Sequence, residues 1–163
     1  MRIKKYGLRL DEDRFPMLIK ENGLNYQTRI IEPLFGPRST DQFFREIEDI
    51  DKLVDEEAFL LCLDVKLRPI GYFHLSSGSS TQTYLSIRDI FMKAVSVGAT
   101  GIIVVHNHPS DDPTFSEADI TAAKKIFHAG ELMEITLLDF MAIGTTSYCS
   151  AKEEKLFEKE NKI

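Results

Sequence analysis

The sequence has only two cysteines, Cys62 and Cys149, with no framework spacing between them. That excludes a small fold stapled by disulfides and fits a reducing compartment. Long apolar runs are also missing, and nothing approaches the roughly 20 residues that a membrane-spanning helix needs. The first residues, MRIKKYGLRLDEDRF, are basic but lack the apolar stretch of a secretory leader. The expected location is therefore the cytoplasm. Nor is there an excess of positive charge: 20 Lys and Arg against 26 Asp and Glu give a formal charge of −6. This argues against a nucleic-acid surface carried by overall charge and leaves room only for a local basic strip. No internal repeat, low-complexity tract or linker divides the chain. At 163 residues, 43% of them hydrophobic, it is long enough for one domain with a real core.

What is present is a succession of strand and helix signals. Met17 to Ile19 and Leu24 to Ile31 read as short strands around a turn at Glu21-Asn22-Gly23, because Asn-Gly is a strong hairpin signal. EPLFGPRST reads as a connector. Ser39 or Thr40 can then cap a helix running to about Leu53, with Phe43, Phe44, Ile47 and Ile50 at helical spacing. EAFLLCLD, from Glu57, is almost uninterrupted in its apolar character, as in a strand covered on both faces. Asp64 to Pro69 make a turn, Ile70 to Leu75 a second strand, and SSGSST a loop, with Thr83 to Leu85 extending briefly. A helix follows from about Ser86 to Val97, with Ile87, Ile90, Phe91, Ala94 and Val95 on one stripe and Gly98 as its stop. After the Ile102–Val105 strand, Ser116 opens another helix, with Ile120, Ala123, Ile126 and Phe127 inward and Gly130 as the stop. Leu132 to Leu138 and Met141 to Ile143 read as strands, Tyr148 as part of a last short one, and Ala151 to Asn161 as a charged helix. The order predicts an α/β fold, a mixed β-sheet with flanking helices.

The chemistry concentrates in GIIVVHNHPSDDPTFSEAD, from Gly101 to Asp119. His106 and His108 end a strand, and residues two apart in extended backbone face the same way. Pro109 and Pro113 stiffen the polar loop that follows. Ser116 is a good helix N-cap, with Asp119 in the first turn behind it. Two neutral imidazoles and one carboxylate can fill three sites of a catalytic zinc and leave the fourth to water. The plainer reading is a pair of hydrogen-bonded histidines and a capping box, and the cap reading is compatible with the metal one. His74 and His128 read as structural or exposed residues, Ser77 and Gly78 as a turn, and Lys124 and Lys125 as part of a solvated face.

His106-x-His108, seven residues, Ser116, two residues and Asp119 resembles the pattern of the JAMM metallopeptidases (the JAB or MPN+ family). HNHPSDDPTFSEAD is similar to the RadC branch of that family, as are LCLDVKLRPI, LSSGSS and LLDFMAIG, in one order over about residues 56 to 150. The resemblance implies a cytidine-deaminase-like JAB/MPN fold. It implies one Zn²⁺ per chain on His106, His108 and Asp119, with Ser116 hydrogen-bonding an oxyanion or the attacking water. It also implies a Glu at the start of an upstream strand as general base and then acid. Alternation puts the adjacent Glu56 and Glu57 on opposite faces, so only one can point at the metal. In the RadC branch the Glu lies eight residues before the Asp of the Leu-Asp pair; counted from Asp64, that is Glu56.

Two positions depart from the branch. Asp111 stands where a Gly is usual, and Asp is one of the few substitutes a positive φ would tolerate. Phe140 stands where a His is common, so any role of that His near the site is lost. Full-length members of the branch carry an N-terminal helical region with a DNA-binding-type motif. Nothing in Met1 to Asp55 resembles it, and the expectation is a catalytic-type domain standing alone or with its own short extension. Its parts are strands and a helix over about 1–55, a metal-site core over 56–150 and a helix over 151–163. The expected function is a zinc hydrolase cutting amide or isopeptide bonds in a peptide or protein substrate, of unspecified oligomeric state. The alternative is a non-catalytic module associated with DNA repair or mobile elements, its metal structural.

Overall fold

A computed structural model describes residues 2–21, 26–27, 36–78 and 85–157. The strands are β1 (Arg2–Ile3), β2 (Lys5–Leu10), β3 (Pro16–Lys20), β4 (Tyr26–Gln27), β5 (Glu57–Leu63), β6 (Pro69–Ser77), β7 (Gly101–Asn107), β8 (Thr136–Ile143) and β9 (Tyr148–Ser150). The helices are α1 (Pro37–Glu48), α2 (Ile87–Ser96) and α3 (Glu117–Met133), with a 3₁₀ turn at Ile50–Lys52. Seven strands form one mixed sheet in the order β3-β2-β6-β5-β7-β8-β9, and β1 pairs separately with β4. The expected α/β class with a mixed sheet and flanking helices is observed.

β5 and β7 lie at the middle of the sheet, antiparallel to one another. Every residue from Ala58 to Leu63 and from Gly101 to Asn107 is buried. Alternation along each strand sorts these side chains into two cores. Leu60, Cys62, Ile102, Val104 and Phe140 pack with Ile90, Phe91 and Ala94 of α2 and Ala123 and Ile126 of α3. Phe59, Leu61, Ile103, Val105 and Met141 pack on the other face with Phe43 and Phe44 of α1. Both faces are covered, which is why these strands read as continuous apolar runs. Each fully buried Phe or Leu contributes about 1.5–3 kcal/mol.

Several boundaries differ from the sequence reading. Met17–Ile19 lies in β3, but its partner is β2, through a turn built by Asp11. The Asp11 carboxylate accepts from the N–H groups of Asp13 (3.0 Å) and Phe15 (2.8 Å), and Arg14 adopts φ 66°. A side-chain-made turn outcompetes the expected partner; Asn22, Gly23 and most of Leu24–Ile31 lie outside the described residues. α1 begins at Pro37, with Gly36 as N-cap, so Ser39 and Thr40 are buried in the first turn and are not caps. It ends at Glu48 because Asp49 takes φ 47°, short of the expected Leu53. Val95 is 55% exposed and leaves the apolar stripe of α2.

α3 runs through Gly130 to Met133 and stops at Glu134, which has φ 54°. Gly130 is therefore no stop. A Cβ there would sit 2.5 Å from the Ile135 carbonyl oxygen, so glycine permits the chain to fold back tightly on its own helix. Leu132 and Met133 are helical, and β8 is one strand where two pieces were expected. The expected helix from Ala151 is a single turn over the described residues, ended by Lys155 at φ 53°. That reversal lays Phe157 on Phe127 of α3, with ring centroids 4.8 Å apart. Among the described residues, no helix is long and apolar enough to cross a membrane.

Candidate metal centre

β7 stays extended through Asn107, carrying His106 and His108 to its end on one face. His106 is 1% exposed, and its ring lies 5.1 Å from that of Phe140. Phe140 is fully buried and packs in turn on Phe115, at 5.8 Å. The residue that stands in place of the branch's His thus serves as an apolar wall behind a site histidine. His108 is anchored by its backbone, whose N–H donates to the Ile143 carbonyl at 2.8 Å. Its Nδ1 lies 2.8 Å from the Asp112 carbonyl oxygen, which can only accept. Nδ1 therefore keeps its proton in either charge state, and Nε2 faces inward, bearing a proton toward Asp119 in the charged ring and a lone pair for a cation in the neutral one.

The loop after His108 turns at Asp111, where φ is 68°. Asp tolerates this left-handed conformation and adds a bond that glycine could not. Its Oδ1 accepts from the Thr145 N–H at 2.7 Å, tying the loop to the turn between β8 and β9. That turn is held from the far layer by Arg45 of α1. The Arg45 guanidinium donates to the carbonyls of Thr145 (2.6 Å), Gly144 (2.8 Å) and Ser147 (3.2 Å). At the loop's end Ser116 and Asp119 form a reciprocal cap. Ser116 Oγ accepts from the Asp119 N–H at 3.1 Å, and Asp119 Oδ2 accepts from the Ser116 N–H at 2.8 Å and its hydroxyl at 2.6 Å.

These elements converge on one point. The two Nε2 atoms are 3.0 Å apart, and Asp119 oxygens lie 3.2 Å from His106 Nε2 and 3.4 Å from His108 Nε2. Glu56, just before β5, completes the group: one ligand atom from each of Glu56, His106, His108 and Asp119 lies within 4.8 Å of every other. Glu57 turns to the opposite side and meets His74 and Ser77, with Ser77 Oγ donating to it at 2.9 Å. His74 stays away from the group, and so does His128, which pairs with Glu131 at 3.2 Å on the surface.

The electrostatics fit a cation. Burial opposes the Asp119 charge, but hydrogen bonds from His106 and His108, the His106 charge and the Ser116 hydroxyl outweigh it and hold the carboxyl well below the usual carboxylate range. His108 is raised above the ordinary imidazole value, chiefly by its bond with Asp119 and against its own burial. Two imidazole nitrogens facing each other beside two carboxylates need positive charge between them, supplied by a proton or a metal ion. Nitrogen and carboxylate donors in this number suit a divalent metal with an open position.

Glu56, His106, His108, Ser116 and Asp119, the residues expected from the sequence, lie together at one end of β7. Asn107, the residue between the histidines, is not among them. A polar side chain in a strand whose every residue is buried was the available signal.

A mixed sheet between helices, with a His-x-His strand end, a capped helix returning an Asp and a Glu from the neighbouring strand, defines a JAB-type α/β domain with a candidate metal site. The sequence matches the RadC-like JAB domain over residues 37–156, and the chain belongs to that family. It is 35% identical over 116 residues to a UPF0758 protein of Thermotoga maritima, covering 71% of this chain and 52% of that one. It is 38% identical over 132 residues to a UPF0758 protein of Pelobacter propionicus, covering 78% and 56%. The chain spans about half the length of these curated relatives.

Proposed function

We propose that this chain is a metal-dependent hydrolase, a zinc metallopeptidase or isopeptidase that cleaves amide bonds in a peptide or protein substrate. The observation that carries the reading is the position of Glu56, whose carboxylate shares one small volume with three ligand-type groups while Glu57 faces away. His106, His108 and Asp119 would hold the ion, and Glu56 would serve proton transfer. A bound zinc ion supplies the positive charge that brings the pKa of a water down to about 7. Glu56 accepts the proton of the attacking water and delivers it to the departing amine. The Ser116 hydroxyl, which donates to Asp119 in the resting arrangement, turns to the carbonyl oxygen as negative charge develops there. The cap thereby doubles as an oxyanion donor. Two free cysteines, one of them buried, suit the cytoplasm as the working compartment.

The test is cleavage of a proteome-derived peptide library by the zinc-loaded chain, with new termini read by mass spectrometry. Wild type is expected to hold about one zinc per chain and to generate new termini. Glu56→Gln is expected to keep the zinc and generate none. Cleavage that survives in Glu56→Gln sinks the mechanism.

A further inference from the structure

Asn107 lies between the two histidines, yet alternation turns its side chain to the other face of β7. It is 2% exposed, and each polar atom of its amide is used. Oδ1 accepts from the Glu57 N–H at 2.7 Å; Nδ2 donates to the Asp55 carbonyl at 3.0 Å and, at longer range, to that of Leu53 at 3.5 Å. The Asp55 carbonyl belongs to the peptide unit before Glu56, and the Glu57 N–H to the one after it. A single side chain therefore grips both planes whose rotations define φ and ψ of Glu56. A third bond, from the Gly78 N–H to the Glu56 carbonyl at 2.7 Å, fixes the second plane again. With those dihedrals held, the direction of the Glu56 Cα–Cβ bond is held too.

We infer that Asn107 is the positioning residue for Glu56, aiming its carboxylate at the space between His106 and His108. The inference rests on the proposed role of Glu56 as the proton-transfer group. The chemistry of the amide explains the residue type: the clamp needs an acceptor for one N–H and donors for carbonyls, at the length of one methylene. Asp would offer only acceptors and repel the Asp55 carbonyl, and Gln would overshoot by one methylene. The three residues His106-Asn107-His108 thus place two ligand-type rings on one face and orient the partner carboxylate from the other.

A double-mutant cycle that needs no substrate tests this. Acetohydroxamate is a small metal chelator that gives up its N–OH proton to a neighbouring base. Its affinity for the cobalt-loaded chain, read from visible absorption, is compared among wild type, Asn107→Ala, Glu56→Gln and the double variant. Each single change is expected to weaken binding about tenfold, as loss of groups just outside a metal's ligands does. The double variant is expected to bind no more weakly than Glu56→Gln alone, since both changes act on one contact. Asn107→Gln keeps both amide functions at one methylene too great a length; it is expected to fall between wild type and Asn107→Ala, and it carries the test if the alanine variant does not fold. Wild-type affinity in both Asn107 variants, losses that simply add to that of Glu56→Gln, or loss of the cobalt would overturn the inference. The hydrolase reading fails by a different result, an intact peptide library with zinc-loaded wild type.

Discussion

Asp111 couples a backbone conformation to a hydrogen bond, and the two can be separated by mutation. Asp111→Ala keeps the φ of 68°, disfavoured for alanine, and loses the bond to Thr145. Asp111→Gly relieves the backbone and loses only the bond. The alanine variant is expected to lose about 1–2 kcal/mol more stability than the glycine variant by urea unfolding. The conformation was legible in the sequence because glycine is the usual residue there; the bond to Thr145 was not, since it joins residues 34 apart. His108 gives a second prediction at this scale. Its pKa is raised in the fold, with the Asp119 hydrogen bond as the leading cause, so in the metal-free chain its stabilisation is complete below about pH 6.5, the free-imidazole value. It is lost as pH rises through the raised value. Zinc must displace that proton, so zinc affinity is expected to climb with pH up to the raised pKa and then level, measured by chelator competition. A flat profile across neutral pH would contradict the His108 assignment.

Helix and strand interiors were more legible than their ends. Periodicity placed α2 and α3, and apolar runs placed β5 and β7. The ends depended on what the chain meets next: Asp49, Glu134 and Lys155 reverse in the left-handed region, and none is a glycine. Gly130 misled for the same reason, because its purpose is contact with Ile135 and not termination. Gly130→Ala should therefore destabilise the fold by about 1–3 kcal/mol through overpacking, although alanine favours helix. Thermal unfolding of the variant checks the sign. On β8, the strand that follows, buried Asp139 accepts from Ser150 Oγ at 2.6 Å, the Phe140 N–H at 2.8 Å and the Lys152 N–H at 3.0 Å. Burial raises its pKa against those bonds. Ser150→Ala removes one donor from a buried acid and is expected to cost about 1–3 kcal/mol, read by the same method.

At the scale of the molecule, the order of strands was the least legible feature. Nothing local announces that β2 runs parallel beside β6, or that its hairpin with β3 forms one edge of the sheet. The central pair could be read, because strands buried on both faces have no polar side to show. The candidate site draws on this centre: Glu56 precedes β5, the histidines end β7, and Asp119 opens α3. An ion on His106, His108 and Asp119 would tie the end of β7 to the start of α3, beside the Glu56 that precedes β5. Zinc at about 100 times its dissociation constant is expected to stabilise the chain by about 2.7 kcal/mol, and a chelator to reverse the shift, in thermal melts. No shift with zinc would argue against these ligands acting together.

The reach of Arg45 across the sheet has a kinetic side. Its guanidinium holds the turn that Asp111 leans on, and Asp111 belongs to the loop that carries His108. An ion held by His108 would leave by losing that ligand, and each brace that keeps His108 in place would lengthen the wait. A brace that acts on the closed loop changes departure more than arrival. Arg45→Ala should thus shorten the residence time of a bound ion while leaving its capture rate nearly unchanged, so a side chain on the opposite layer acts as a timer for the site.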